Sequence, residues 1–391
     1  MNFLRLLLFP FAFLYGAVIF FRNLLYALGI LPAKELETGV IVIGNLSVGG
    51  TGKSPMTEYL IRLLKDNFTL ATLSRGYKRH TNGFIIADNN STSFQIGDEP
   101  LQFKKKFSGV IVSVDENRKR GIKKLLSQFP ELKIILLDDA FQHRSVKPGL
   151  SILLSDYGKM FYDDFLLPMG TLREWRSGKK RADILIVTKC PDTLSPVEKR
   201  IILKKINPEP HQHVFFSYIK YGEMVSVFAS PLRRSPLDSP ESPFGLTPFL
   251  SAGRGSPSDL PDKERGTAVL LTGISNPKPL ENYLEKKIGT IIPIHYPDHH
   301  EYSIVEINNL AEKFKSIASQ NKIIITTEKD AMRLDKPGLV EILGTLPVYY
   351  LPIEISFDEK EKEEFNQLIT DYVLRTNAPG RQRAGGIRKN N

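Results

Sequence analysis

Short runs of consecutive apolar residues alternate with helical stretches between residue 40 and about residue 221. The runs occupy residues 40–43, 70–73, 110–114, 134–137, 151–154, 184–187 and 214–218. Strands that are apolar on consecutive positions are buried on both faces, as in a parallel sheet with crossover helices. The pattern predicts an open, mostly parallel α/β sheet with helices on both faces and ligands beyond the carboxyl ends of its strands.

The first apolar run leads into a glycine-rich turn, and helical periodicity resumes at Met56. Backbone N–H groups in such a turn converge on phosphate oxygens, while a lysine neutralises charge and a hydroxyl binds Mg²⁺. The usual pattern has glycine where this chain has a serine, but the strand and helix on either side favour a phosphate loop over an ordinary glycine turn. The predicted nucleotide-binding residues are Ser47, Val48, Gly49, Gly50, Thr51, Gly52, Lys53 and Ser54.

Residues 1–31 are apolar except for Arg5 and Arg22. The uninterrupted run between the two arginines would be about 24 Å long as a helix, shorter than the roughly 30 Å hydrocarbon core, and Pro10 would bend it. A signal peptide, a membrane span, an interfacial helix and a helix packed on the domain are the alternatives. The short run and the lack of a cleavage site favour a helix in the membrane interface.

Composition limits the kinds of metal site and binding partner that are possible, but it does not identify the partner. The net charge of +10 suits nucleic acid, an anionic membrane or a phosphorylated substrate. The single cysteine excludes an intramolecular disulfide and a cysteine-cluster zinc site, and indicates a reducing compartment. Any metal is therefore expected to be a hard cation bound by oxygen atoms.

Beyond the first domain, predicted at 32–228, residues 229–266 are dense in Ser, Pro, Gly and Arg. That composition predicts a linker or insertion. Apolar runs then resume and predict a smaller α/β domain at 267–374. The basic end of the chain, 375–391, is expected to be disordered.

Polar clusters follow the predicted strands. The run at 134–137 ends in Asp138 and Asp139, the arrangement by which P-loop proteins hold Mg²⁺ directly or through water. Gln142 and His143 come next and can position a substrate, although a packed His143 is equally compatible with the sequence.

Three further clusters lie where ligands of such a sheet bind. Arg75 and Tyr77 belong to a basic glycine turn that can receive a phosphate. Asp98, in Gly-Asp-Glu-Pro, is either a base or metal ligand, or part of a helix N-cap. Arg118 can contact a phosphate or a neighbouring carboxylate.

The later part of the chain adds two more clusters. Arg173 and Glu174 lie in a basic stretch that suits a phosphate-bearing sugar or lipid headgroup. His299 lies in a polar turn whose imidazole can orient a catalytic carboxylate, while its two histidines are too few for zinc. Thr188-Lys-Cys-Pro191 lacks the Asn and Asp of the guanine-selective Asn-Lys-x-Asp motif, so guanine selectivity is not supported.

Taken together, these motifs resemble the tetraacyldisaccharide 4′-kinases, membrane-associated P-loop enzymes of lipid A assembly. The resemblance extends from the apolar N-terminus to about Leu334. It rests on seven ordered motifs: Gly44-Asn-Leu-Ser-Val-Gly-Gly-Thr-Gly-Lys-Ser-Pro55, Ser74-Arg-Gly-Tyr77, Gly97-Asp-Glu-Pro100, Asp138-Asp-Ala-Phe-Gln-His-Arg144, Leu172-Arg-Glu174, Pro297-Asp-His-His300 and Thr327-Glu-Lys-Asp330.

The resemblance implies a P-loop NTPase-like kinase that transfers the γ-phosphate of ATP to the 4′-hydroxyl of a tetraacylated glucosamine disaccharide 1-phosphate, with Mg²⁺. It implies that Asp98 is the base, paired with His299, and that Arg118 and Arg173 stabilise the transferred phosphoryl group. The acidic residues around metal and substrate would be Asp138, Asp139 and Glu174, with Ser54 and Lys53 at the ATP phosphates. The predicted location is the cytoplasmic face of the bacterial inner membrane, with an anionic glycolipid and the membrane surface as partners.

Two other classes of function are also compatible with a phosphate loop in a basic protein. A membrane-tethered nucleotide switch or ATPase acting on a protein partner is disfavoured by the missing Asn-Lys-x-Asp and the many strand-end polar groups. A nucleic-acid-binding ATPase is disfavoured because no face interleaves aromatic and basic residues. We expect neither a nucleic acid nor an obligate protein partner.

Overall fold

The computed structural model describes residues 7–35, 38–228, 266–319 and 321–378. The chain divides into two compact units, Met1–Lys220 with Glu354–Asn391, and Tyr221–Ile353. The predicted linker, apart from Gly266, and the tail beyond residue 378 lie outside the described residues.

The strands alternate with helices through most of the described chain. They are β1 (Lys34–Glu35), β2 (Gly39–Asn45), β3 (Leu70–Ser74), β4 (Ile85–Ile86), β5 (Ile111–Val114), β6 (Ile134–Asp138), β7 (Val146–Lys147), β8 (Leu150–Asp156), β9 (Ile184–Thr188), β10 (His213–Tyr221), β11 (Val225–Ser226), β12 (Gly266–Thr272), β13 (Gly289–His295), β14 (Lys322–Thr327), β15 (Val348–Leu351) and β16 (Ile353–Phe357).

The α-helices include one long helix near each end of the described chain. They are α1 (Phe9–Ala27), α2 (Lys53–Leu64), α3 (Ser93–Ile96), α4 (Asp98–Lys106), α5 (Arg118–Gln128), α6 (Pro196–Ile206), α7 (Lys278–Glu285), α8 (Ile304–Ser316), α9 (Glu328–Leu334), α10 (Pro337–Leu343) and α11 (Glu359–Thr376).

The first unit is built on a nine-stranded sheet in the order β16-β10-β9-β8-β2-β6-β3-β5-β4. The strands from β10 to β5 pair in parallel, and β4 is antiparallel to β5. Every residue of β2, β3 and β6 is buried, as predicted for strands covered on both faces. In the strand order, β3 lies on one side of β2 and β8 lies on the other. The connection that leaves β2 runs to β3, whereas the connection from β6 crosses back to β8. The loop after β2 therefore lies at the switch point of the sheet, where ligands bind.

The second unit contains a five-stranded sheet in the order β11-β15-β14-β12-β13. Its strands are parallel except for β11. The structure thus has the smaller α/β sheet that the apolar runs predict.

The prediction of a second domain at 267–374 was wrong at its carboxyl end. From Glu354 the chain belongs to the first unit again, where β16 is the edge strand beside β10. Because α11 continues to Thr376, the predicted disordered tail also begins too early. Both differences arise because α11 has a buried face, on which Phe365, Ile369 and Val373 are fully enclosed.

Candidate active site

The phosphate loop leaves β2 at Asn45 and enters α2 at Lys53. Gly49 and Gly52 have φ angles of 114° and 87°, a region that residues with a Cβ rarely adopt. Gly52 is the N-cap of α2, so the positive end of the helix dipole faces the loop. Strand, glycine turn and helix start together form an anion-binding site.

The first half of the loop is held by the segment that carries Arg173. The backbone N–H of Val48 donates to the carbonyl of Thr171 at 2.8 Å, and the N–H of Arg173 donates to the carbonyl of Leu46 at 2.7 Å. These two bonds fix Arg173 beside the loop.

The second half of the loop is held by residues at the carboxyl ends of β8 and β9. The Thr188 hydroxyl donates to the carbonyl of Thr51 at 2.9 Å. The Lys189 ammonium donates to the carbonyl of Gly50 and forms a 2.7 Å ion pair with Asp156. From the sequence, this segment indicated only a lack of guanine selectivity, and its role in shaping the loop was not predicted.

Lys53, Arg173 and Asp139 form one charged cluster at the loop. Lys53 Nζ lies 3.7 Å from Asp139 Oδ1 and 3.4 Å from Asn45 Oδ1. Arg173 donates two hydrogen bonds, of 2.8 and 3.3 Å, to the Asp139 carboxylate. Burial raises the pKa of Asp139, but Lys53 and Arg173 outweigh it and lower that pKa to about 2. The ionised carboxylate therefore holds both cations where phosphate oxygens would bind.

Asp138, the last residue of β6, is 3% exposed and accepts a 3.2 Å hydrogen bond from the Thr57 hydroxyl. Burial, together with the nearby Glu99 and Asp139 carboxylates, raises the pKa of Asp138 well above its usual range. A cation bound beside it would favour the ionised form again.

A cavity of about 350 Å³ opens at this end of the sheet. Seven predicted site residues line it, namely Arg75, Tyr77, Asp138, Asp139, Gln142, His143 and Arg173. Six residues that the sequence analysis did not select complete the wall: Tyr15, Ile19, Arg22, Ser74, Gly76 and Glu99.

Glu99 is the carboxylate of the Gly-Asp-Glu-Pro turn that reaches the phosphate loop. Its Oε1 accepts a 3.1 Å hydrogen bond from the Ser54 hydroxyl. Gly97, with a φ angle of 90°, is the N-cap of α4, and Asp98 is the first helical residue. The N-cap alternative for Asp98 was therefore wrong, and Asp98 lies half-buried at the start of the helix.

Glu174 lies behind the cavity wall and is 2% exposed. Its carboxylate forms a 2.8 Å ion pair with Arg181 and accepts a 3.0 Å hydrogen bond from the Gln142 amide. The same amide nitrogen donates to the backbone carbonyl of Asn45 at 2.8 Å. This placement disagrees with the prediction of Glu174 as a metal ligand, because its carboxylate is buried, is paired with Arg181 and does not line the cavity.

Arg118 is also buried and does not line the cavity. It donates to the backbone carbonyl of Asp115 at 2.5 Å and to that of Asp138 at 3.2 Å. Burial lowers its pKa to about 10, so it remains charged at neutral pH. Its contacts fix the end of β6 and do not place its guanidinium at the cavity surface, where the predicted phosphoryl contact would require it.

His143 faces the cavity as a neutral imidazole at neutral pH. Burial, with the charges of Arg118 and Arg75, lowers its pKa to about 4. It therefore acts there as a hydrogen-bonding group without positive charge.

In the second unit, the polar turn after β13 contains two histidines that make different contacts. His300 makes a 3.0 Å contact with Glu306 and stacks on Tyr296. His299 has a φ angle of 61°, and its backbone N–H donates to the carbonyl of Gly273 at 3.1 Å. His300 is thus a packing residue of the turn, and His299 remains the candidate for catalysis.

The donor set around the loop fits Mg²⁺. Among the residues that the structure describes, no group of three or more His, Cys, Asp or Glu side chains forms a complete metal cage. Mg²⁺ in kinases usually takes one or two carboxylates and fills its remaining positions with phosphate oxygens and water. Ser54, Glu99 and Asp138 provide a hydroxyl and two carboxylates for such a site.

The N-terminal helix α1 contributes to the cavity wall through its polar side. Tyr15 donates to the backbone carbonyl of Arg173 at 2.7 Å, and Arg22 donates to that of Gln142 at 2.5 Å. Of the helices in the described ranges, α1 alone is long and apolar enough to cross a membrane, and only 11% of that stretch is buried. The apolar helix was predicted from the sequence, but its contact with the site was not.

The chain is similar to known proteins over nearly its whole length. The family model for LpxK, tetraacyldisaccharide-1-P 4′-kinase, matches residues 4–373. The tetraacyldisaccharide 4′-kinase of Bacteroides thetaiotaomicron is 46% identical over 94% of this chain and 92% of its own length. That of Flavobacterium johnsoniae is 42% identical over 95% of this chain and 98% of its own.

The chain belongs to the tetraacyldisaccharide-1-P 4′-kinase family. Among solved structures it is similar to the “apo” form of LpxK from Aquifex aeolicus in complex with ATP, with a TM-score of 0.67 and 27% identity over 95% of this chain and 99% of that one. Membership in the kinase family confirms the predicted α/β fold, the kinase class and the predicted function, ATP-dependent 4′-phosphorylation in lipid A biosynthesis. It also confirms the cofactors of this kinase family, ATP with Mg²⁺.

Proposed function

We propose that this kinase transfers phosphate within the cavity at the carboxyl end of its nine-stranded sheet, onto an anionic glycolipid presented from a membrane surface. The observation that carries the proposal is the composition of one cavity. Its wall combines the Asp139–Arg173 pair at the phosphate loop with Glu99, Asp138 and the polar side of α1. The nucleotide side and the membrane-seeking helix therefore meet at one site.

On the nucleotide side, the N–H groups of residues Ser47–Ser54 bind the phosphates of ATP, and Lys53 neutralises the transferred end. Ser54, Glu99 and Asp138 would hold Mg²⁺, which would supply positive charge to offset the negative charge that develops on the phosphoryl group. Asp139 holds Arg173 and Lys53 toward the phosphoryl group. In this proposal Glu174 orients Gln142, and Arg118 fixes the strand end that carries Asp138.

On the acceptor side, Arg75, Tyr77, Gln142 and His143 bind the disaccharide. Asp98 accepts the proton of the 4′-hydroxyl, and His299 is the second residue proposed to assist this proton transfer. Phosphoryl transfer depends mainly on position and charge stabilisation, so a cradle, a metal, cations and one base are sufficient.

The membrane partner is the cytoplasmic face of the inner membrane, with α1 lying in the interface. Hydrogen bonds from Tyr15 and Arg22 hold one face of α1 against the protein. On its other side Phe13 and Phe20 are more than half exposed. An apolar face opposite a protein-bound polar face suits a helix that lies in the interface.

The proposal is tested by incubating the purified full-length protein with Mg²⁺, radiolabelled ATP and tetraacyldisaccharide 1-phosphate in mixed micelles. We expect label to appear on the lipid by thin-layer chromatography, and to be lost with Lys53→Ala. An acceptor lacking its 4′-hydroxyl is the matched control and should stay unlabelled. Hydrolysis of ATP without any labelled lipid would contradict the proposal and favour an ATPase.

A further inference from the structure

We propose that Asn45 is a positioning residue that holds Lys53 and Arg173 together at the phosphate loop through an acceptor that carries no charge. This role of Asn45 rests on the functions proposed above for the two cations at the phosphoryl group. Asn45 was not among the predicted site residues, and all three residues lie in the first unit. Its amide arranges the positive charge of the site without neutralising it.

Asn45 is a fully buried polar residue at the end of an apolar strand. It is the last residue of β2 and is 0% exposed. Burying an amide costs free energy unless its polar atoms form hydrogen bonds. The side-chain oxygen of Asn45 accepts from Lys53 Nζ at 3.4 Å and from Arg173 Nη2. The groups that stabilise this buried amide are therefore the two cations of the phosphate loop.

The orientation of the amide follows from hydrogen-bonding capacity. Lysine and arginine side chains donate hydrogen bonds and have no acceptor, so they require the oxygen of the amide and not its nitrogen. The nitrogen, Nδ2, donates to no protein group among the residues that the structure describes. Pairing of Asn45 with Leu154 of β8, and the hydrogen bond from the Gln142 amide to the Asn45 carbonyl, fix the backbone. The side-chain oxygen is thus held beside both cations.

Each cation contacts both Asn45 and Asp139, and these two partners differ in charge and exposure. The side chain of Asp139 is 40% exposed and lies 3.7 Å from Lys53 and 2.8 Å from Arg173. Two cations and one ionised carboxylate leave a surplus of positive charge, which can stabilise a phosphoryl group. A second carboxylate at the position of Asn45 would cancel this surplus, whereas a neutral amide preserves it.

A neutral acceptor separates the stability of the cluster from its affinity for phosphate. In Asn45→Asp both cations keep an oxygen acceptor, and its charge strengthens their hydrogen bonds. The substitution removes no protein hydrogen bond from Nδ2, because that atom has none among the described residues. The two cations favour the ionised form of the new carboxylate, which then competes with the phosphates of ATP for them. In Asn45→Ala the cations lose an acceptor but gain no competing charge.

The first test ranks Asn45→Asp and Asn45→Ala by two measurements on the full-length protein. Urea unfolding measures stability, and calorimetric titration with Mg²⁺ and AMP-PNP, a non-hydrolysable form of ATP, measures nucleotide affinity. We expect Asn45→Asp to be the more stable variant and yet to bind AMP-PNP on the order of tenfold more weakly than the wild type. Asn45→Ala should bind within about threefold of the wild type, because the loop N–H groups that bind phosphate remain.

The second test measures turnover in the lipid phosphorylation assay. Asn45→Ala should lower kcat about tenfold with little change in AMP-PNP affinity, because Arg173 is proposed to act on the phosphoryl group during transfer. Asn45→Asp should lower both. The matched control is Asn366→Asp on α11, where the side-chain oxygen accepts a 2.8 Å hydrogen bond from the Tyr59 hydroxyl. It keeps its acceptor and adds the same charge, and it should match the wild type in affinity and turnover.

The role of Asn45 is refuted if stability and AMP-PNP affinity rank the two variants in the same order, or if Asn45→Ala keeps the wild-type kcat. A variant that does not fold counts as the less stable one, and if neither folds, Asn45 serves the fold and the proposal is wrong. The proposed function fails on a different result, a wild type that binds AMP-PNP but labels no lipid. The ranking by stability and affinity needs no acceptor and still decides the role of Asn45 in that case.

Discussion

Asp98 and Glu99 are adjacent in sequence but lie in different surroundings. Successive helical residues point about 100° apart, so the first turn of α4 can direct only one of them to the phosphate loop. That residue is Glu99, which accepts the Ser54 hydroxyl bond and lines the cavity. The two carboxylates are therefore expected to have different roles: Glu99 binds the metal, and Asp98 accepts the proton of the acceptor hydroxyl.

These separate roles of Glu99 and Asp98 predict different kinetic effects for two matched substitutions. Glu99→Gln should raise the Mg²⁺ concentration for half-maximal activity on the order of tenfold, as expected for the loss of about 1.4 kcal/mol of ligand interaction. Asp98→Asn should leave the Mg²⁺ requirement unchanged and lower kcat by at least about a hundredfold, as for loss of a general base. Magnesium titrations of lipid phosphorylation measure both. The assignment is wrong if the two variants exchange these effects.

At this scale the sequence predicted the types and positions of most cavity residues but not their contacts. Apolar strand runs show where each strand ends, so Asp138, Asp139 and Arg75 were accessible to prediction. Which of two adjacent acidic residues faces the loop depends on the helix phase, and the burial of Glu174 depends on Arg181, seven residues away. Neither follows from residue type alone.

At the scale of elements, α1 has two different faces. Its docked face contains Tyr15, Gly16 and Arg22, and the Trp175 indole donates to the Gly16 carbonyl at 2.8 Å. A Cβ at residue 16 would lie 2.7 Å from the Trp175 ring, so only glycine permits this approach. The sequence shows the overall apolarity of the helix, whereas the docked face appears only once residues 142–175 are folded against it.

The exposed face of α1 predicts membrane binding. In Phe13→Ser/Phe20→Ser, loss of two exposed aromatic side chains, each contributing about 1.5 to 3 kcal/mol when buried in lipid, should weaken vesicle binding by more than about tenfold. Co-sedimentation with phosphatidylglycerol vesicles measures the effect. Val197→Ser/Ile201→Ser removes two comparably exposed apolar side chains from α6 and serves as the control. Equal losses in the two double variants would argue against a membrane role specific to α1.

At the scale of the whole molecule, the first unit is completed by the end of the chain. On α11, the Tyr372 hydroxyl accepts from the backbone N–H of Val40 at 3.1 Å and donates to the carbonyl of the same residue at 3.2 Å. Val40 lies in β2, the strand that leads into the phosphate loop. This helix was predicted to belong to the second domain because it follows the last predicted strand in the sequence. Only its partners, more than 300 residues earlier, reveal where it belongs.

Phe365 is the side chain by which α11 should contribute most to stability. Its ring is fully buried, with centroids 5.0 Å from Phe357, 5.4 Å from Phe215 and 5.8 Å from Tyr59, so it joins α11 to β16, β10 and α2. Phe365→Ala should lower the free energy of unfolding of the first unit by about 3 to 5 kcal/mol, through lost burial and the cavity left behind.

Urea unfolding followed by tryptophan fluorescence measures this change, because the single tryptophan, Trp175, lies in the first unit. Leu374→Ala on the same helix is the matched control, since Leu374 is 53% exposed. It should change the free energy by less than about 0.5 kcal/mol, as surface substitutions usually do. If α11 instead belonged with the second unit, Phe365→Ala would leave the Trp175 transition in place. A shift of that transition in Phe365→Ala but not in Leu374→Ala would show that the buried face of α11 stabilises the unit that contains the phosphate loop.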